Sequence, residues 1–242
     1  NKIIIYILKR YRILKVKLRS GVFDSPFADR DMEKYFRSKK HTELAKEAVR
    51  KSLVLLKNEK NTLPIKENSK IYVTGPHIDN IGQQCGGWTI MWQGEYDESG
   101  KDLTEGETIL DGLKNLEEKY NCEIITNKDR AKEADLVILA VGELPYSEGE
   151  GDVEYYGLDG KKSHVENIKA VKEVQDLDLP VVTLIVSGRP LIISREVNKW
   201  DAIVATWLPG SEGEGGAEVL FGEYNFTGKL PVTWPKNIGQ ST

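Results

Sequence analysis

Four carboxylates stand close together in "GELPYSEGEGD", residues 142–152: Glu143, Glu148, Glu150 and Asp152. The stretch follows "ADLVILAV", which is apolar and β-branched, so a buried strand runs straight into a Gly-rich acidic loop. Such a loop is either a solvated turn or the carrier of a catalytic carboxyl. Pro145 and Tyr146 are not solvating residues. A carboxyl beside an aromatic ring is partly desolvated, which favours its protonated form and suits it to proton transfer. Glu148, just past Tyr146 at the expected apex, is the first candidate for a general acid. Glu150 is its rival, because a shift of two residues is easily accommodated in a Gly-rich loop. Glu143 ranks below both, being one residue from the strand end.

A second stretch, "CGGWTIMWQG" (85–94), pairs two glycines with Trp88 and Trp92. The glycines permit close backbone approach and unusual dihedral angles. The indoles read either as core anchors or as a stacking platform for a flat apolar face such as a sugar ring. In "GSEGEGG" (210–216) glycines precede a helix, as in a phosphate cradle. Glu212 and Glu214 would repel a phosphate, however, and neither GxGxxG after the first strand nor GK[ST] is present. Tight packing of the helix start is the better reading. In "SGRP" (187–190), Arg189 is suited to pair with an acid or with a neighbouring domain, and Pro190 to open a helix. Ser147, Ser187 and Ser211 lack a nucleophile-elbow pattern. His41, His77, His164, Cys85 and Cys122 fall at no metal-ligand spacing, so neither a metal nor a cofactor is called for.

With 242 residues the chain has room for one large domain or one and a half. A formal charge of −4 provides no basic footprint for nucleic acid or an anionic membrane, which leaves small-molecule or polymer substrates. At the start, Ile3, Ile7, Tyr11, Leu14 and Leu18 recur at helical spacing among Lys and Arg. The apolar run there is too short and too quickly interrupted for a signal peptide. The pattern predicts an amphipathic helix ending near Gly21, whose apolar face needs a partner. Residues 21–41 read as a linker.

The elements that must position the candidates follow from periodicity. Helices are expected over 42–59 with Thr42 as N-cap, 104–120, 163–176, 190–200 and 214–222. Strands are expected over 70–76, 122–126, 134–142, 180–188, 201–210 and 228–235. Uniformly apolar strands alternating with amphipathic helices indicate a parallel sheet covered on both faces. Ligands then bind outside the strand carboxyl ends. The loops 75–94, 142–152 and 208–216 all leave such ends and should share one edge of the sheet.

Taken in order, "AKEAVRKSLVLLKNE", "GGWTIMWQG", "GELPYSEGEGD", "SGRP" and "ATWLPGSEGEGGAEVLFGEYNFTGKLPVTWP" resemble the second domain of family 3 glycoside hydrolases, the β-glucosidases and exo-β-glucanases. The resemblance covers roughly residues 41–235, and residues 12–29 look like that family's end of barrel and start of linker. It implies a three-layer α/β/α sandwich, flavodoxin-like, with a mostly parallel sheet of about six strands. Residues 1–40 would be the last helix of a (β/α)8 barrel and a linker, and 41–242 the sandwich. It further implies that the chain is the C-terminal catalytic half of a retaining enzyme that hydrolyses terminal β-D-glucosyl residues of β-glucosides or β-glucan oligosaccharides. Glu148 would be the acid/base, Trp88 would stack on the leaving-group sugar and Tyr146 would lie beside the substrate. The nucleophile, an Asp, would belong to a barrel this chain lacks, leaving the chain alone inactive. Other readings are a carbohydrate-binding module without catalysis and, behind it, a nucleotide-binding domain. The resemblance leans to a secreted or periplasmic location.

Overall fold

A computed structural model describes residues 2–94 and 104–240. By its internal contacts the chain divides into residues 1–42 and 43–242. The first unit holds helix α1 (Lys2–Arg19) and a short 3₁₀ segment (Arg30–Tyr35). The apolar spacing that predicts α1 leaves Ile7, Tyr11, Leu14 and Leu18 exposed. No described helix is long and apolar enough to cross a membrane.

The second unit is an α/β sandwich. Its strands are β1 (Val54–Asn58), β2 (Lys70–Thr74), β3 (Glu123–Ile125), β4 (Leu136–Gly142), β5 (Val181–Val186) and β6 (Ala202–Trp207). They form one six-stranded sheet in the order β1-β6-β5-β4-β2-β3. All neighbours run parallel except β1, which pairs with β6 antiparallel. Without β1, the parallel strands taken in chain order stand 2-1-3-4-5, the flavodoxin-like arrangement.

Strand β4 is buried at every position, and its side chains alternate between two cores. Ile138 and Ala140 face a layer with Val49, Leu113, Val219 and Phe221, from α2 (Lys39–Ser52), α4 (Ile109–Asn115), α7 (Gly213–Leu220) and its cap. Val137, Leu139 and Val141 face Val171, Val174, Leu191 and Trp200, on and around α6 (Asn167–Gln175). Period-two alternation with both faces apolar is what a central parallel strand requires.

Local departures from the sequence expectation have identifiable causes. The helix expected over 42–59 ends at Ser52, and Val54–Asn58 become β1. A short apolar run is ambiguous by periodicity, and the open edge of β6 decides in favour of a strand. Thr42 is not the cap: it lies inside α2 and donates to the Lys39 carbonyl. The helix expected over 190–200 is reduced to one turn (Val197–Lys199). Leu191 and Ile193 are buried at a spacing of two, and the segment bridges Gly157 through Ile192. The strand expected over 228–235 does not form. Pro231 lacks a donor for a ladder, and Trp234 Nε1 donates instead to the Leu191 carbonyl at 2.7 Å. In the 104–120 segment helix begins only at Ile109, behind a capping box of Thr108 and Asp111, and α5 (Glu117–Tyr120) follows after a break at Leu116.

Candidate functional site

The chain leaves β2 for the outer strand β3, then returns past β2 to β4. Strand order therefore reverses between β2 and β4, and connections from these two neighbours diverge to opposite sides of the sheet. A crevice at their carboxyl ends is the consequence. The loop after β2 carries Trp88; the loop after β4 carries Glu148. Their proximity follows from topology, and three kinds of contact make it tight.

First, the two loops are hydrogen-bonded to each other. The Ser147 amide donates to Gln93 Oε1 at 2.9 Å, and the Ser147 hydroxyl donates to the Trp92 carbonyl. Second, they are packed at contact distance. A Cβ on Gly87 would lie 2.2 Å from the Tyr146 carbonyl oxygen and 2.3 Å from Ser147 Oγ, so only glycine fits. Third, the loop after β6 joins them. The buried Gln84, on α3 (Ile81–Cys85), donates to the Gly210 carbonyl (3.1 Å) and accepts from the Ile109 amide (2.8 Å). The Gly210 amide donates in turn to the Gln84 carbonyl (3.0 Å). The three Gly-rich connections thus share one rim.

Trp88 and Trp92 sit on this rim 65% and 56% exposed, so neither is a core anchor. Their ring centroids are 6.3 Å apart with planes inclined by 54°. Glu148 is exposed as well, at the start of a 3₁₀ turn (Glu148–Gly151). No described group pairs with its carboxylate, whereas Glu150 is ion-paired with Lys162 at 2.9 Å. That ammonium holds the Glu150 carboxyl below the usual range. Trp88 and Glu148 share a further property: both adopt positive φ, 62° and 50°. For an L-residue with a full side chain this conformation costs roughly 1–2 kcal/mol. Such strain concentrates where surrounding structure over-determines a functional geometry.

Tyr146 is engaged by Glu143 and Arg189. Its hydroxyl donates to Glu143 Oε2 (3.2 Å), and the Arg189 guanidinium lies 4.8 Å from its ring centroid. Burial and the nearby Glu143 charge push its phenol up to about 12. Glu143 itself is buried, 3% exposed, and bound by Arg189, whose Nε and Nη2 donate to Oε1 at 2.9 and 2.7 Å. Burial pushes the Glu143 carboxyl up and Arg189 opposes that shift. The Glu143 carbonyl accepts from Nε2 of the fully buried His77 at 3.0 Å. Glu143 is thus committed to the interior and unavailable to a ligand.

Arg189 pairs with an acid, as "SGRP" suggested, but Pro190 opens no helix. In "GSEGEGG" the glycines do serve packing of the helix start: a Cβ on Gly213 would lie 2.1 Å from the Thr108 carbonyl oxygen, and one on Gly215 would lie 3.0 Å from the Lys46 carbonyl oxygen of α2. Among the described residues no cluster of three or more His, Cys, Asp or Glu could hold a metal ion. Gln84, Gln93 and the Glu143–Arg189 pair escaped sequence reasoning. The pair had a signal: Gly142 stands opposite Val186 in the β4–β5 register, which brings the residues just beyond each strand together.

The fold and rim define a doubly wound α/β domain that presents a carboxylate and two indoles at its switch-point edge. Residues 53–242 match the family description "Glycosyl hydrolase family 3 C-terminal domain", and the chain belongs to that family. It is 30% identical to a lysosomal β-glucosidase of Dictyostelium discoideum, over 94% of this chain and 30% of that protein. It is likewise 30% identical to a periplasmic β-glucosidase of Salmonella typhimurium, over 94% of this chain and 34% of that protein. Among solved structures, an exo-1,3/1,4-β-glucanase from a Pseudoalteromonas species superposes with a TM-score of 0.83 at 39% identity, covering 94% of this chain and 29% of the other. A Listeria innocua β-glucosidase in complex with glucose gives 0.77 at 28% identity, covering 95% and 32%. The chain thus spans about a third of the length of these relatives.

Proposed function

We propose that this domain is the acid/base half of a retaining β-glucosidase or exo-β-glucanase acting on terminal β-D-glucosyl residues. Glu148 protonates the leaving oxygen and then, as its carboxylate, activates the water that releases the sugar. Trp88, with Trp92 beside it, offers an apolar face to the leaving-group sugar. Tyr146 backs the acidic loop at the edge of the substrate. The other carboxyl, an Asp nucleophile, comes from a (β/α)8 barrel packed over the rim; in such enzymes the two groups stand about 5–5.5 Å apart. The barrel and bound sugar supply the water exclusion a general acid needs, since this rim alone leaves Glu148 exposed.

The observation that carries this reading is the rim itself: a carboxylate that no described residue pairs with and two exposed indoles, on hydrogen-bonded loops that leave adjacent parallel strands. Glu148 is favoured over Glu150, whose carboxylate is engaged by Lys162. In a protein that joins this domain to its barrel, Glu148→Gln should slow hydrolysis of phenyl β-D-glucoside by roughly 10²–10⁴-fold, the usual worth of a positioned general acid. A 2,4-dinitrophenyl leaving group needs no proton, so departure of that aglycone should change little. Equal rates for wild type and variant on the phenyl substrate would refute the assignment.

A further inference from the structure

Glu148 holds an unfavourable backbone angle in an exposed loop, with no described partner for its side chain. Something else must fix where its carboxylate points. Besides the Lys162–Glu150 ion pair and the bond from the Leu144 amide to the Lys162 carbonyl, three further pins hold the loop. Two are the Ser147 contacts to the tryptophan loop. The third is the guanidinium of Arg189, which engages the loop at both ends.

At the near end Nε and Nη2 grip Glu143, which cannot move. Its amide donates to the Val186 carbonyl at 3.0 Å, its carbonyl accepts from His77, and its side chain is 3% exposed. At the far end Nη1 donates to the Gly151 carbonyl at 2.8 Å, closing the turn that begins at Glu148. The guanidinium carbon lies 4.8 Å from the Tyr146 ring centroid and 5.3 Å from that of Tyr156. One planar group therefore ties strand end, aromatic ring and turn end into a fixed triangle, with Glu148, Gly149 and Glu150 as its only exposed segment.

We propose that Arg189 is a positioning residue for the acid/base: it never meets the substrate, but sets the distance between the Glu148 carboxyl and the departing oxygen. This rests on the assignment of Glu148 above. Lysine cannot replace it, because an ammonium has no fork to span Glu143 and Gly151 together and no plane to stack. A displacement of the order of 1 Å at a catalytic group costs about 10²-fold in rate.

The test measures kcat/KM of the two-domain protein on phenyl and 2,4-dinitrophenyl β-D-glucosides for wild type, Arg189→Lys and Glu148→Gln. Arg189→Lys should lose roughly 10–100-fold on the phenyl substrate and no more than about threefold on the dinitrophenyl one, a weaker copy of Glu148→Gln. A purely structural role would lower both substrates by one common factor, through the folded fraction. If Glu148→Gln discriminates between the leaving groups and Arg189→Lys does not, the positioning role is overturned while the acid/base stands. If Glu148→Gln does not discriminate either, both are overturned. Should Arg189→Lys fail to fold, the double variant Glu143→Gln/Arg189→Met replaces the buried pair with groups that need no counter-charge. It still lacks a donor for Gly151, and it should show the same selective loss.

Discussion

Replacing Gly87 with alanine examines whether the two site loops are truly pressed together. The new methyl would sit 2.2 Å from the Tyr146 carbonyl oxygen, 2.3 Å from Ser147 Oγ and 2.7 Å from the Tyr146 carbonyl carbon. Ordinary contact needs about 1 Å more, and two of the three obstacles are backbone atoms that no rotamer change removes. The tryptophan and acidic loops must part. Parting takes the Ser147 amide, now 2.9 Å from Gln93 Oε1, out of hydrogen-bond range. Overpacking costs about 1–3 kcal/mol and each lost hydrogen bond about 1 kcal/mol, so the closed arrangement should weaken by roughly 3 kcal/mol. Hydrogen exchange at the Ser147 amide reads this directly: about 3 kcal/mol corresponds to roughly 100-fold faster exchange. Gly149→Ala is the matched control, since its methyl would meet nothing within 4 Å. Gly87→Ala and Gly149→Ala exchanging Ser147 at the same rate would refute the packing argument and, with it, the shared rim.

Two further expectations concern stability. Burial pushes the His77 imidazole down to about 3, whereas an unfolded histidine takes up its proton near about 6.5. The unfolded chain thus binds the extra proton first: stability is full above about pH 6.5 and falls by up to about 1.4 kcal/mol per pH unit toward pH 3. Denaturant midpoints at pH 7 and pH 5 should show that slope, and its absence in His77→Gln would identify the group. Thr108→Ala removes the hydroxyl that accepts from the Asp111 amide at the start of α4, and should cost about 1 kcal/mol by urea unfolding, with an unchanged m-value.

What the residues alone determined is what depends on local pattern. The uniformly apolar β4, β5 and β6 announced a parallel core, because a strand buried on both faces can carry no polar side. Chain direction in such a sheet then places the loops of Trp88 and Glu148 on one edge. Segments whose state depends on a distant partner were not legible. Val54–Asn58 is a strand because β6 offers it an edge, and in residues 228–235 Pro231 breaks any ladder while Trp234 is tied to the Leu191 carbonyl. The site divides in the same way. Its residue types and rim can be read from spacing. The burial of Glu143 under Arg189, the bonding of Tyr146 to Glu143, the pairing of Glu150 with Lys162 and the left-handed backbone at positions 88 and 148 cannot. Each joins residues brought together only by packing, and a charge chooses its partner by distance and desolvation in space, not by separation along the chain.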